Sequence, residues 1–167
     1  MKRRLTATKK AGASRRVRSG SPGRPAPSTR TPASVFRTFV ARDPSAAAKI
    51  GVIREGVLAR VVDDMVEYLG VPKHVIFALL HTPESTAHKL IKDNRHLDSA
   101  ASERVVRVAD LTRMAEETFG GRESATQWLT SGNLALGGLT PLSMLDTEPG
   151  AGEVRRLLNS INYGGVF

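Results

Sequence analysis

The chain has 167 residues, with 25 Lys and Arg against 16 Asp and Glu, 40% apolar residues and no cysteine; that length suits one domain, or two small ones sharing a core. Without cysteine there is no disulfide framework, thiol nucleophile, cysteine-type zinc site or iron–sulfur cluster, and no run nears the ~18 apolar residues of a membrane span. Twelve of the basic residues and no acid fall between Met1 and Arg42, leaving a net of −3 beyond it, so the formal charge of +9 belongs to the amino-terminal segment.

Residues 1–34 read as disordered, within a basic arm that extends to residue 43. Gly12 to Ser34 is crowded with Gly, Pro and Ser, and Val17 is its only large aliphatic residue. Such a segment cannot bury enough apolar surface to offset its backbone entropy. It lacks the apolar run of a secretory signal, and its repeated prolines rank an amphipathic transit peptide second. A flexible arm contacting nucleic-acid phosphates, through residues such as Arg15, Arg16 and Arg18, is the leading reading. A reducing cytoplasm fits.

The folded body is expected to start near Pro44 and to be all-α. Val57, Leu58, Val61, Val62, Met65, Val66 and Leu69 follow helical spacing as one wide stripe, ended by Gly70-Val71-Pro72. A short apolar helix spans Lys73 to Leu80. Thr82-Pro83-Glu84 then reads as an N-cap, a first-turn proline and a first-turn acid, opening a helix to about Lys92. Leu97 to Ser99 is the expected seam between residues 44–98 and 99–167. Beyond it a long helix, roughly Ser99 to Phe119, lines one face with Val105, Val108, Ala109, Thr112, Ala115 and Phe119, and Gly120-Gly121 ends it. Ser124 to Leu129 makes a short helix bearing the single Trp, Ser131 to Gly138 a loop, and Thr140-Pro141 opens a turn of helix through Leu145. Val154, Leu157, Leu158 and Ile161 mark the last helix, and no alternating run demands a strand.

Val57 to Asn94 has the element lengths of a helix-turn-helix unit. The Glu84–Lys92 helix would then face DNA with Ser85, Thr86, His88, Lys89 and Lys92, although it carries no Arg, Asn or Gln, the usual base readers. The plain alternative is three short helices packing a core. Histidines 74, 81, 88 and 96 lack metal-ligand spacing and read as surface or packing residues. The adjacent acids Asp63-Asp64 and Glu116-Glu117 point in different directions on a helix and read as solvated. Gly132 to Gly138 fits neither phosphate-loop nor dinucleotide pattern. No residue set calls for catalysis, a metal or a cofactor. The carboxy terminus, Asn162-Tyr163-Gly164-Gly165-Val166-Phe167, is unusually apolar; it either docks on its own core or enters a partner's pocket.

Asn133-Leu134-Ala135-Leu136-Gly137-Gly138-Leu139-Thr140-Pro141-Leu142, then Leu145-Asp146-Thr147, Gly152, Val154, Leu157-Leu158 and Tyr163-Gly164 resemble the carboxy-terminal domain of Xre/ParS-type antitoxins, partners of RES-domain toxins. Trp128-Leu129 and Leu97 with Ser102-Glu103-Arg104 extend the likeness, which covers about Arg54 to Phe167. The resemblance implies a non-enzymatic antitoxin that lays its carboxy-terminal domain over the toxin's NAD pocket, dimerises, and represses its own operon by binding operator DNA. By position, Asn162, Tyr163, Gly164, Gly165, Val166 and Phe167 would be the plugging end, with Arg155 and Arg156 as further toxin contacts. The basic arm exceeds the family core, and His88-Lys89 stands where many relatives carry an Arg pair. The other reading is a stand-alone helix-turn-helix regulator whose carboxy-terminal part is a dimerisation module.

Overall fold

The computed structural model describes residues 34–164, and within them every named element is helical. In chain order these are α1 (Val35–Ala41), α2 (Ala46–Glu55), α3 (Val61–Leu69), α4 (Lys73–Leu79), α5 (Glu84–Lys92), α6 (Ser99–Phe119), α7 (Arg122–Thr130) and α8 (Glu148–Asn162), with 3-10 helices at Leu134–Leu136 and Leu142–Asp146. The expected all-α class holds. The nearest approach to a strand among the described residues is an isolated antiparallel bridge between Leu58 and His96.

Helix α6 is the axis. Asp98 starts it by accepting the Ala101 amide at 2.7 Å, and Gly120 ends it in a left-handed conformation (φ 78°). Helices α1, α2, α7 and α8 all pack against it. Of the expected apolar face, Val105, Val108, Ala109, Thr112 and Ala115 are buried and Phe119 only partly so, while Val106 and Leu111 are buried as well. Neighbours on several sides cover more of the circumference than a one-sided stripe implies. The buried core runs without a break from Phe36 to Leu158, across Leu97 and Ser99's flank at Ala101.

The folded body begins earlier than Pro44. Helix α1 buries Phe36, Phe39 and Val40, which recur at i, i+3 and i+4. The arm residues Arg15, Arg16 and Arg18 lie outside the described residues. Helix α2, unread in the sequence, has no fully buried residue; Val52 and Ile53 lie partly buried against the core, and charge adds a second tie. Ser45 caps it, and Lys49 Nζ lies 2.8 Å from the Asp110 carboxylate of α6 and 3.1 Å from Asp43. Burial alone would lower the Lys49 pKa, but the hydrogen bonds to Asp110 and Asp43 outweigh it and raise it.

Two boundaries differ from expectation. Val57 and Leu58 precede α3, because the Ala59 amide donates to Arg95 O (2.8 Å) and the Leu97 amide to Val57 O (2.8 Å), pulling this stretch into an extended pairing. Thr82 is not the cap of α5: its hydroxyl donates back to Leu80 O, and Pro83 holds the cap position. Pro141 likewise holds the cap position of the Leu142–Asp146 turn, but here the preceding Thr140 hydroxyl does accept an amide, that of Ser143 at 3.2 Å. Gly150 in the first turn of α8 abuts the Met144 carbonyl, leaving no room for a side chain.

Arg122 ties the start of α7 to the end of α3. Its guanidinium donates to the carbonyls of Glu67 and Tyr68, each at 2.9 Å, and lies 4.0 Å from the Tyr68 ring centroid. These carbonyls are orphaned by the helix end and draw a cation. The Tyr68 hydroxyl donates to Glu116 at 2.6 Å, and burial followed by that bond pushes its pKa up to about 12.

Candidate functional site

Two surfaces collect the residues singled out by sequence. The first is the α4–turn–α5 unit. Its turn is tight: the Leu80, His81 and Thr82 amides donate to Ile76, Ala78 and Phe77 carbonyls, and His81 takes a positive φ of 53°. Helix α5 buries Ala87, with Leu90 and Ile91 partly covered against the core. That leaves Ser85, Thr86, His88, Lys89 and Lys92 on the exposed side, as the helix-turn-helix reading requires. His88 leans edge-on against Phe77 at 5.2 Å, a packing contact that holds its ring beside α4.

Sequence reasoning missed Arg95. This exposed residue in the loop after α5 joins Ser85, Thr86, Lys89 and Leu90 around a shallow cleft of about 440 Å³. Two hydroxyls and two cations around one depression suit an anionic oxygen. The loop is held by the Arg95 amide donating to Leu90 O and by the bridge to Ala59. Arg95 lies three residues past the end of α5, outside the helical period that marks the other four residues.

The four histidines are all exposed, as expected of surface or packing residues. His81 Nε2 lies 3.2 Å from Asp146. That contact sits beside a larger link between the two surfaces, because Arg104 donates to Asp146 O (3.2 Å) and Leu80 O (3.4 Å). Of the Ser102-Glu103-Arg104 triplet, Ser102 is fully buried and accepts the Val57 amide at 2.9 Å, while Glu103 pairs with Arg107 at 2.7 Å. Ser102 and Arg104 therefore staple α6 to the elements on either side, while Glu103 pairs within the helix.

The second surface is the carboxy-terminal part. Trp128 packs against Phe119 with ring centroids 5.2 Å apart. The 3-10 helix Leu142–Asp146 and α8 bury Leu142, Leu145, Ala151, Val154 and Leu158. Arg155 is half-buried with Glu148 at 3.7 Å, and Arg156 is exposed and paired with Glu153. Both arginines are thus already engaged within their own helix. Asn162 closes α8, and Tyr163 stands 82% exposed with Gly164 beside it. The described part of the tail does not dock on its own core; Gly165, Val166 and Phe167 lie outside the described residues. Among the described residues no helix is long and apolar enough to cross a membrane.

Comparison with known proteins matches both surfaces. Residues 48–110 match the antitoxin Xre-like helix-turn-helix domain, and residues 114–164 match the antitoxin Xre/MbcA/ParS C-terminal toxin-binding domain. The two matches meet inside α6. The chain is 32% identical over 143 residues to a Prs ADP-ribosylating antitoxin of a Sphingobium species, covering 80% of this chain and 89% of that protein. It is 35% identical over 82 residues to an antitoxin Xre of Pseudomonas putida, covering 49% and 52% of the two chains. A Yersinia enterocolitica antitoxin Xre is 26% identical over 141 residues, or 84% and 95%.

Proposed function

The chain belongs to the Xre/ParS family of antitoxins, and from that premise we propose that it neutralises a RES-domain, NAD-consuming toxin by covering the toxin's active site with its carboxy-terminal domain and tail. The observation that carries the reading is the end of α8, where a helix anchored by Val154 and Leu158 projects an exposed aromatic residue, Tyr163, outward. Occlusion needs complementary shape and apolar anchors and no catalytic group. Arg155 and Arg156, on the same helix, would border the contact and meet acidic groups of the toxin. The test is a titration: the purified protein encoded beside this chain should consume NAD, and its rate should fall linearly to an end point at a fixed molar ratio. A rate indifferent to the added chain contradicts occlusion.

The same reading makes the chain, as a homodimer in the cytoplasm, a repressor of its own operon. Ser85, Thr86, His88, Lys89 and Lys92 on the exposed side of α5 would face the operator, with Arg95 on backbone phosphate. The arm, with Arg15, Arg16 and Arg18, would add further phosphate contacts. Each phosphate neutralised contributes about 0.9 to the slope of log affinity against log salt. Deleting residues 1–33 should therefore flatten the slope by about 2 or more, and Lys89→Ala by about 1. Unchanged slopes would place both off the DNA. Tight operator binding without any effect on NAD consumption would favour the stand-alone regulator.

A further inference from the structure

We infer that Leu134, displayed on the closed loop between α7 and the Leu142–Asp146 turn, is a toxin-binding anchor distinct from the tail, entering an apolar recess on the toxin; this rests on the neutralisation reading above. Leu134 is 95% exposed, more than any other large apolar residue in the described part of the chain. Of the five such residues that are exposed, Leu134, Leu139, Ile161 and Tyr163 all fall within the segment matched to the toxin-binding domain, and only Ile50 lies elsewhere. Single exposed leucines are ordinary on protein surfaces. What separates this one is how much of the local fold is spent on holding it out.

The loop is built. The Asn133 amide donates to Leu139 O at 3.0 Å, and the Leu136 and Gly138 amides return to Asn133 O at 3.0 and 2.9 Å. The Asn133 side chain accepts the Ala135 amide at 2.9 Å. Gly137 and Gly138 complete the reversal at positive φ, 68° and 84°. Leu136 faces inward and packs against the core, and α8 packs against the same 3-10 turn. Two leucines separated by one alanine are thus divided, one partly buried against the core and the other held in water. A preordered apolar knob loses little conformational freedom when a partner covers it. The occupant is the toxin and not a second copy, because the knob lies on the domain that also carries exposed Ile161 and Tyr163 at the end of α8, the helix proposed to meet the toxin.

The test uses the full chain and the purified protein encoded beside it, with affinity read by calorimetry. Leu134→Ala should weaken binding about 10-fold, and Leu134→Asp, which forces a carboxylate into an apolar recess, about 100-fold or more. Operator affinity and melting temperature should stay unchanged, since the side chain touches almost nothing in the free protein. Equal affinity for wild type and Leu134→Asp overturns the anchor while leaving the neutralisation reading intact. A fall in the mass of the free chain with unaltered toxin affinity assigns the leucine to a second copy and also overturns it. Failure of the wild-type chain to bind removes the neutralisation reading and the anchor together.

Discussion

Truncation after Ile161 is expected to leave the toxin uninhibited at a ten-fold molar excess, while operator affinity stays within about two-fold. The truncation removes Asn162 to Phe167, including both aromatic residues of the tail. Aromatic anchors buried in a complex are worth ~2–4 kcal/mol each when truncated. Losing two would weaken binding by three orders of magnitude or more. The fold has little to lose: Asn162, Tyr163 and Gly164 are exposed, and none of them forms a side-chain hydrogen bond to another element. Their backbone contacts are confined to the last turn of α8, where the Tyr163 amide donates to Asn159 O. A melting temperature within a few degrees of wild type would show that loss of inhibition is loss of the anchor. Inhibition that survives truncation places the blocking contact elsewhere on the domain, and loss of DNA binding alone contradicts the assignment of the two surfaces.

Phe36→Ala should destabilise the protein by ~3–5 kcal/mol, the range for deleting a buried phenylalanine. Phe36 is fully buried, its ring edge-on to Tyr68 with centroids 5.5 Å apart. Tyr68 in turn carries Arg122 over its face and bonds Glu116, so the cavity would open beneath a contact that joins α1, α3, α6 and α7. Ile50→Ala is the control, since Ile50 is 46% exposed on α2 and should cost under ~0.5 kcal/mol. Denaturant midpoints at constant slope measure both. A Phe36→Ala protein as stable as wild type would mean that α1 adds nothing to the core.

What was legible in the sequence was what local chemistry determines. Helix α6 matched its expected span because an Asp cap and a Gly-Gly stop bracket an uninterrupted helical pattern, and α5 ended at Lys92 as read. Gly70 closes α3 in the left-handed conformation, with φ 68°. Helix α1 was missed because it follows directly on a segment crowded with Arg, Pro and Ser, and a seven-residue helix declares itself only through the partners that Phe36, Phe39 and Val40 find on α3 and α6. Helix α2 was missed because its apolar pattern is weak: it buries no side chain fully, Val52 and Ile53 are only partly covered, and Lys49 ties it to Asp110, sixty-one positions away. The Leu58–His96 pairing moved the start of α3 because a long-range backbone contact outcompeted a helical pattern.

The candidate surfaces were legible to the same degree. The five residues expected on α5 share its exposed side, since an amphipathic helix carries that information in its own period. Arg95 joins them through a loop held by Leu90 and Ala59, a placement no periodic reading contains. Leu134 and Leu136 are indistinguishable by residue type, and only the hydrogen bonds of Asn133 separate the one that packs from the one that projects. Ser102 and Arg104 appeared as part of a resemblance, and their work, capturing the Val57 amide and bridging Leu80 to Asp146, emerges from tertiary contacts.

The most direct measurement is cellular NAD during expression of the protein encoded beside this chain, with and without the chain. Neutralisation by occlusion predicts that NAD collapses when the neighbour is expressed alone and holds near its resting level on co-expression. NAD that never moves, or that falls equally in both cases, would contradict it.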